Sequence, residues 1–470
     1  MKKNLFTKIA AGALSAALSV TMLAGCGNKK TAATDDQGRT IISIGAWPVK
    51  EGKALDDANA KKERFEKANP DVVIQPDNWS FDLKSFYAKA AGGQLPTIFQ
   101  SNFTEVPQVI EANYAADLTE CLKKRGYDGM FNEKVLDVIS RNGKIYSFPT
   151  STYVLGLAYN TEMFQAAGLM EADGTPKQPK DWYEVAEFAQ KIKAATGKAG
   201  IVFPTSNNNG GWIFTPVAWS FGVEFMKKGD DGKWKATFNS PEAAAALQYI
   251  KDLKWKYDVL PTNTLIDGEE YSKLFATGNA AMQIAAGDVP RKVISYGMTP
   301  DQLGMMAMPA GPKKHITLLG GYLSNIRSDA TPEQIDAAIR WIETTNNFKA
   351  TEEFKNNTIN TLDSNLKSGM LVGIKAMSVW SQDAESLKLE HQLIDERANS
   401  NLNHVRLYNE FVADCPAEIQ PEEPVCAQEL YGILDSCIQE VLTNKDADCA
   451  TILEKANSDF QHNYLDGVDY

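Results

Sequence analysis

Histidine is nearly absent, at 4 residues in 470. None lies at a metal-ligand spacing from a cysteine, so the His–Cys signature of a zinc site is missing. The motifs of common hydrolytic and phosphoryl-transfer centres are missing too: there is no Gly-x-Ser-x-Gly elbow, no zincin helix and no P-loop. Acids such as Glu105, Asp117 and Asp288 are present, but no spacing singles out two of them as a glycosidase pair. Basic residues number 48 against 60 acidic ones, for a net charge of -12, and are dispersed, whereas a nucleic-acid footprint needs them clustered. No segment repeats. These absences predict a chain with no catalytic centre, cofactor, metal or nucleic-acid partner.

An apolar run long enough to cross a bilayer is lacking as well. The longest, Ile9 to Gly25 behind Lys2, Lys3 and Lys8, is shorter than the roughly 20 residues a spanning helix wants and has the layout of an export signal. It closes on Leu23, Ala24, Gly25 and Cys26, which resembles the lipobox of bacterial lipoproteins. That resemblance implies that residues 1–25 are a signal peptide, that Cys26 carries the lipid, and that the protein sits on the extracytoplasmic side of the cell membrane. Two acyl chains, at about 0.8 kcal/mol per buried methylene, give durable anchoring. Residues 26–38, polar and without apolar periodicity, read as a flexible tether.

What remains is more than one hydrophobic core usually serves, so two domains are expected. Ile41–Ile44, Val72–Ile74 and Thr97–Gln100 read as strands, the first two separated by a helix that stops at Asn69 and Pro70. Further extended segments are Gly143–Phe148, Val154–Tyr159, Ile201–Phe203, Ala281–Ile284 and Gly304–Met308. Three helices carry clear start signals: Asp181 with Glu184, Ser240 with Pro241, and Thr331 with Pro332 and Gln334. Alternating strands and helices predict an α/β fold with mostly parallel sheets, and from about Thr345 the pattern turns helical. Asp230, Asp231 and Gly232 read as a hairpin turn rather than a calcium loop. Export permits disulfides, and the clustered Cys415, Cys426, Cys437 and Cys449 admit three pairings. Cys415 with Cys426 and Cys437 with Cys449 is the favoured set; buried free thiols are the alternative, and Cys121 is left over.

Three stretches, in order, carry a wider resemblance: Asn142 to Pro149 followed by Gly156 to Asn160, Met163, Phe164 and Gly168; Pro179 to Trp182 opening a helix; and Leu274 to Gly278 followed by Ala280, Ala281, Met282 and Gly287. Over essentially the whole mature chain the sequence resembles the extracellular solute-binding family typified by maltose-binding protein. The resemblance implies a two-lobed α/β fold of discontinuous lobes, 39–149 plus 282–344 and 150–281 plus 345–470, with a ligand cleft between them. It implies capture of a sugar or short oligosaccharide and delivery to ABC transporter permease subunits, by a monomer. Departures are the long C-terminal region and its cysteines.

A sugar offers flat C–H faces and a rim of hydroxyls, so its site needs aromatic faces and fixed polar groups, placed beyond the carboxyl ends of strands. The chain has 9 Trp, 16 Tyr and 20 Phe to draw on. Candidates in such places are Trp47, Trp79, Asn102, Thr104, Glu105, Tyr153, Trp212, Trp219 and Asp288, with Trp380 from a Ser- and Trp-containing stretch. Trp212 and Trp219, seven apart, can share a helical face, one for ligand and one for core. Gly320 and Gly321 before Tyr322 would let backbone approach a ligand. The Asn207 to Gly211 run reads as a flexible polar loop. A polyamine or peptide binder is the competing reading, since carboxylates and aromatics serve cations too.

Overall fold

The computed structural model describes residues 33–468, so the export signal, Cys26 and the beginning of the tether lie outside the described residues. Two long strands organise the molecule. Gly143–Phe148 and Val154–Tyr159, separate in the sequence reading, largely merge into one 14-residue strand, Ser147–Asn160, beside the 11-residue strand Ile316–Ile326. They run antiparallel from Ser147 opposite Asn325 to Val154 opposite Leu319. The sheet continues on one side through Ile98–Asn102, Thr40–Ile44 and Val72–Pro76, and on the other through Leu303–Met306; Met282–Ala286 also pairs with the first long strand.

Each long strand feeds two cores. Phe148 and Ile326 pack with Ile42, Val72, Ile98, Ile339 and Trp341, whereas Leu155, Leu157, Leu318 and Leu319 pack with Phe188, Ile250, Ile284, Met305 and Ile438. The segment 282–308, expected with the first lobe, therefore shares the second core, because Met282–Ala286 and Leu303–Met306 both hydrogen-bond to the far half of Ser147–Asn160. Trp380, expected with the second, packs in the first, stacked on Phe131 at 5.5 Å and 16°.

Parallel pairing is less general than expected. Among the described residues the parallel ladders are Thr40–Ile44 with its two neighbours and Ile316–Leu318 with Glu418–Gln420, beside two isolated parallel bridges, Asp181 with Ala310 and Ala199 with Ala280. A chain that crosses between cores and later returns lays its strands side by side in opposite directions, which the local alternation of elements does not reveal. Ile201–Phe203 is extended but forms no regular strand: Val202 N–H reaches Met282 O at 3.0 Å, and Pro204, without an N–H, ends the pairing. Met226–Lys228 and Trp234–Ala236 form the expected hairpin around Asp230 and Asp231. The favoured disulfides are not formed. All five cysteines described are free; Cys415 closes a helix in left-handed backbone while Cys426 opens the next, and Cys449 Sγ donates to Gln248 Oε1 at 3.5 Å.

The three signalled helices form where expected, Trp182–Thr196, Pro241–Trp255 and Pro332–Glu343. Thr331 Oγ1 accepts from Gln334 N–H at 3.3 Å and Gln334 Oε1 accepts from Thr331 N–H at 3.1 Å, while Gln334 Nε2 donates to Ile41 O at 2.8 Å. This capping box thus also pins the helix to the first strand. Thr331→Ala should cost about 1 kcal/mol in urea unfolding and Thr331→Ser a few tenths; equal losses for both would show that the hydroxyl is not the stabilising group.

Candidate functional site

Where the crossing strands pass from one core to the other, they floor a cavity of about 910 Å³, near the upper end of ordinary ligand pockets. Ser151, Thr152, Tyr153 and Tyr322 form the floor. One wall is the start of the helix Asn209–Ser220 with Asn207, Asn209 and Trp212; another is the start of Gly268–Ala276 with Glu269 and Tyr271. The third is the carboxyl end of Met282–Ala286, running from Gln283 to Asp288 with Arg291 and Lys292 beyond.

The aromatic faces are held in place by identifiable contacts. Trp212 is half-buried, and its indole N–H donates to Glu422 Oε1 at 2.8 Å. Tyr271 is buried and donates to Ile284 O at 2.7 Å, which ties the helical wall to the strand wall. Tyr153 lies half-buried across the floor; burial first, then Glu422, Asp288 and Tyr322 around it, push its hydroxyl up to about 12. Tyr322 is 57% exposed, a large aromatic face left open to the cavity. Gln283 is 2% exposed and lines the same space.

The helix that carries Trp212 begins in an unusual way. Asn207 and Asn208 are both in left-handed backbone, and Asp435, from a helix more than 200 residues away, accepts from the N–H groups of Asn208 and Gly211 at 2.7 Å each. A Cβ on Gly211 would collide with Tyr431 backbone. The run expected to be a flexible loop is therefore a fixed helix start, capped by a distant carboxylate.

The family model for bacterial extracellular solute-binding proteins matches residues 46–343. The chain belongs to that family. Family membership places it among exported proteins that bind solutes. The sn-glycerol-3-phosphate-binding periplasmic protein UgpB of Salmonella typhimurium is 26% identical over 291 residues, 59% of this chain and 64% of that protein. UgpB of Escherichia coli K12 is 26% identical over 289 residues, 58% and 63%. The match thus spans less than two thirds of these relatives' own length. Among solved structures, maltose-bound T. maritima MalE3 superposes with a TM-score of 0.56 at 22% identity, over 90% of this chain and 98% of that one. The cyclic alpha-maltosyl-1,6-maltose binding protein from Arthrobacter globiformis gives 0.59 at 22%, again over 90% and 98%. UgpB from Mycobacterium tuberculosis in complex with glycerophosphocholine gives 0.58 at 17%, over 90% and 98%. The fold of this solute-binding protein is accordingly the two-lobed α/β fold.

Four of the sequence candidates, Tyr153, Trp212, Asp288 and Tyr322, meet in the cavity. The others do not line it. Trp47 is buried with Trp341 at 6.1 Å, and Trp79 packs on Phe81 and Phe99 while donating to Ser85 Oγ at 3.2 Å. Trp219 is buried and donates to Glu423 Oε1 at 2.8 Å, whereas Trp212, on the same helix, lines the cavity. Asn102, Thr104 and Glu105 form a turn in which Glu105 Oε2 accepts from Asn102 N–H at 2.9 Å. Trp380 borders a separate 240 Å³ cavity with Thr150, Thr152, Asn346 and Asn347. Gly320 and Gly321 admit protein rather than ligand: a Cβ on the first would collide with the Tyr153 ring, and one on the second with Ser151 O.

Sequence reasoning missed Gln283, Tyr271 and Glu269, and also the loop that supports the tryptophans. Glu422 and Glu423, in the C-terminal region left unexplained, accept from Trp212 and Trp219 in turn. The available signal was a Pro-Glu-Glu-Pro sequence facing two indoles seven residues apart. Burial pushes Glu423 up to about 7 despite the Trp219 hydrogen bond. A carboxyl raised above its unfolded range favours folding fully at low pH, and that contribution is lost as pH rises through the folded value. Glu423→Gln keeps an acceptor for Trp219 and carries no charge. It should match the wild type in urea unfolding near pH 4.5 and exceed it above pH 7.5, by roughly 3 kcal/mol at most; a gap that does not grow with pH would overturn this assignment.

Proposed function

We propose that this protein captures a sugar or short oligosaccharide in the 910 Å³ cavity and delivers it to the permease of an ABC importer. The observation that carries the reading is the lining itself. Trp212, Tyr153 and the open face of Tyr322 offer stacking surfaces for C–H faces, while Ser151, Asn207, Asn209 and Gln283 offer neutral hydrogen-bonding groups. The related structures bound to maltose and the maltosyl ring protein support a carbohydrate. The lobes, near 39–149 and 150–281 with the later segments divided between them, close around the ligand, because only the closed state buries it on both sides. Cys26 anchors the protein, a monomer, to the outer face of the cell membrane through lipid.

A phosphate ester is the second reading. Arg291 lies at the cavity wall, and the UgpB relatives are named for sn-glycerol 3-phosphate.

Thermal unfolding against a panel of mono- and oligosaccharides, with sn-glycerol 3-phosphate and polyamines alongside, decides between them. A ligand at 100 times its Kd adds about 2.7 kcal/mol of stability. A carbohydrate should give the shift, and Trp212→Ala and Tyr322→Ala should each weaken its binding by tenfold or more, about 1.4 kcal/mol. A shift with the phosphate ester alone would replace the sugar with the second reading.

A further inference from the structure

The smaller cavity, of about 240 Å³, shares Ser151, Thr152 and Ala376 with the larger one. It lies where two segments pass between the cores. One is the long strand, from Phe148 to Val154; in the other, Met377 packs in one core and Val379 in the other. One wall is a face of the helix Glu385–Glu396, formed by Leu387, Glu390, His391 and Ile394 at the three- and four-residue spacing of a single helical side. Leu387 and Ile394 are buried, as such a stripe requires. Glu390 stands in the same stripe, and among the described residues that line the cavity it is the one that carries a full charge.

Glu390 is open to solvent, so a ligand can reach it, yet the protein around it raises its carboxyl above the ordinary range through burial alone. Among the described residues, nothing hydrogen-bonds or pairs with it. His391 beside it is half-buried; burial foremost, then Lys375, lowers its imidazole, which is therefore neutral at pH 7 and offers an acceptor nitrogen. Lys375 is itself paired with Asp395 at 2.9 Å. A carboxylate surrounded by protein is disfavoured until a cation joins it, and at such a site the attraction is screened less than in bulk water. The aromatic lining decides which cation fits. A quaternary ammonium is held by open aromatic faces, but Trp380 is 7% exposed, stacked on Phe131 at 5.5 Å and met by the edge of Phe148 at 6.0 Å. What the cavity offers is a carboxylate, an imidazole nitrogen and the neutral polar groups of Thr150, Asn346 and Asn347, which suit N–H donors.

We propose that this cavity is a second small-molecule site, for a primary ammonium that Glu390 and His391 hold through its N–H groups. The site is independent of what fills the larger cavity.

Ethanolamine and choline separate the terms, since choline keeps the charge and the hydroxyl but has no N–H donor. Calorimetric titration of the full chain should show ethanolamine binding at one site, and choline binding tenfold or more weaker. Glu390→Gln keeps the shape and removes the charge, so it should weaken ethanolamine binding tenfold or more while melting no lower than the wild type without ligand. Trp212→Ala, in the larger cavity, should leave ethanolamine affinity within about twofold. Failure of ethanolamine to bind the wild type, or undiminished binding to Glu390→Gln, overturns the proposal. So does a loss of binding in Trp212→Ala, which would put the amine in the larger cavity, and so does a Glu390→Gln variant that melts lower when empty, which would make the carboxylate a structural group. Choline binding as tightly as ethanolamine would overturn the choice of a primary ammonium.

Discussion

Everything in this molecule depends on the antiparallel pairing of Ser147–Asn160 with Ile316–Ile326. It is one continuous ladder serving two cores, and a residue's place along it decides which core its side chain enters. Midway, the ladder must let Tyr153 lie flat across its partner strand. That is possible only because Gly320 has no side chain to meet the ring, and because Gly321, at a φ of 137°, accepts the close approach of Ser151 O. A β-branched residue at either position would separate the strands and lift the aromatic floor of the cavity. The register irregularity between Tyr322 and Leu323 follows immediately, and a bulge there re-aims a side chain; Tyr322 is the residue left open to the cavity. Strand pairing, glycine placement and aromatic display are thus one constraint.

From that floor the walls are assembled by residues distant in sequence. The helix start bearing Trp212 is capped by Asp435, the indole is held by Glu422, and the neighbouring indole of Trp219 by Glu423. Burial raises both glutamate carboxyls above their ordinary range, a cost the fold tolerates because each acid replaces water at an indole N–H that would otherwise be unpaired. The C-terminal region is therefore part of the scaffold of the cavity.

These distances explain what could and could not be read beforehand. Helix starts are local, so Asp181, Ser240 and Thr331 announced their helices through residues one to three positions away. Of the residues that line the cavity, Asp288 stood out because it follows the Ala281–Ile284 strand, Tyr153 because it borders the Val154–Tyr159 strand, Tyr322 because it follows two glycines and Trp212 because it ends a polar run. Trp47 and Trp380 satisfy similar local criteria but end in the first core, because the aromatic residues that receive them, Trp341 in one case and Phe131 in the other, are placed by tertiary packing. Gln283 gave no local signal, since a single polar residue in an apolar strand is noticed only once its lack of a partner is known. The direction of pairing was misjudged for a related reason: alternation of strands and helices describes succession along the chain, whereas two crossings of a hinge are a global property.

The same C-terminal loop also bonds to the early part of the chain. Gln108, on the short helix after Glu105, donates to Pro424 O, and Lys134 Nζ donates to Ala417 O at 2.6 Å; both donors come from the first part of the chain. Burial foremost, with Glu422 adding to it, raises the Glu105 carboxyl above its ordinary range. A segment bonded to Trp212 on one side and to Gln108 and Lys134 on the other cannot stay fully bonded if those parts of the chain separate. Separating those parts would break these few hydrogen bonds, each worth about 0.5–1.5 kcal/mol net.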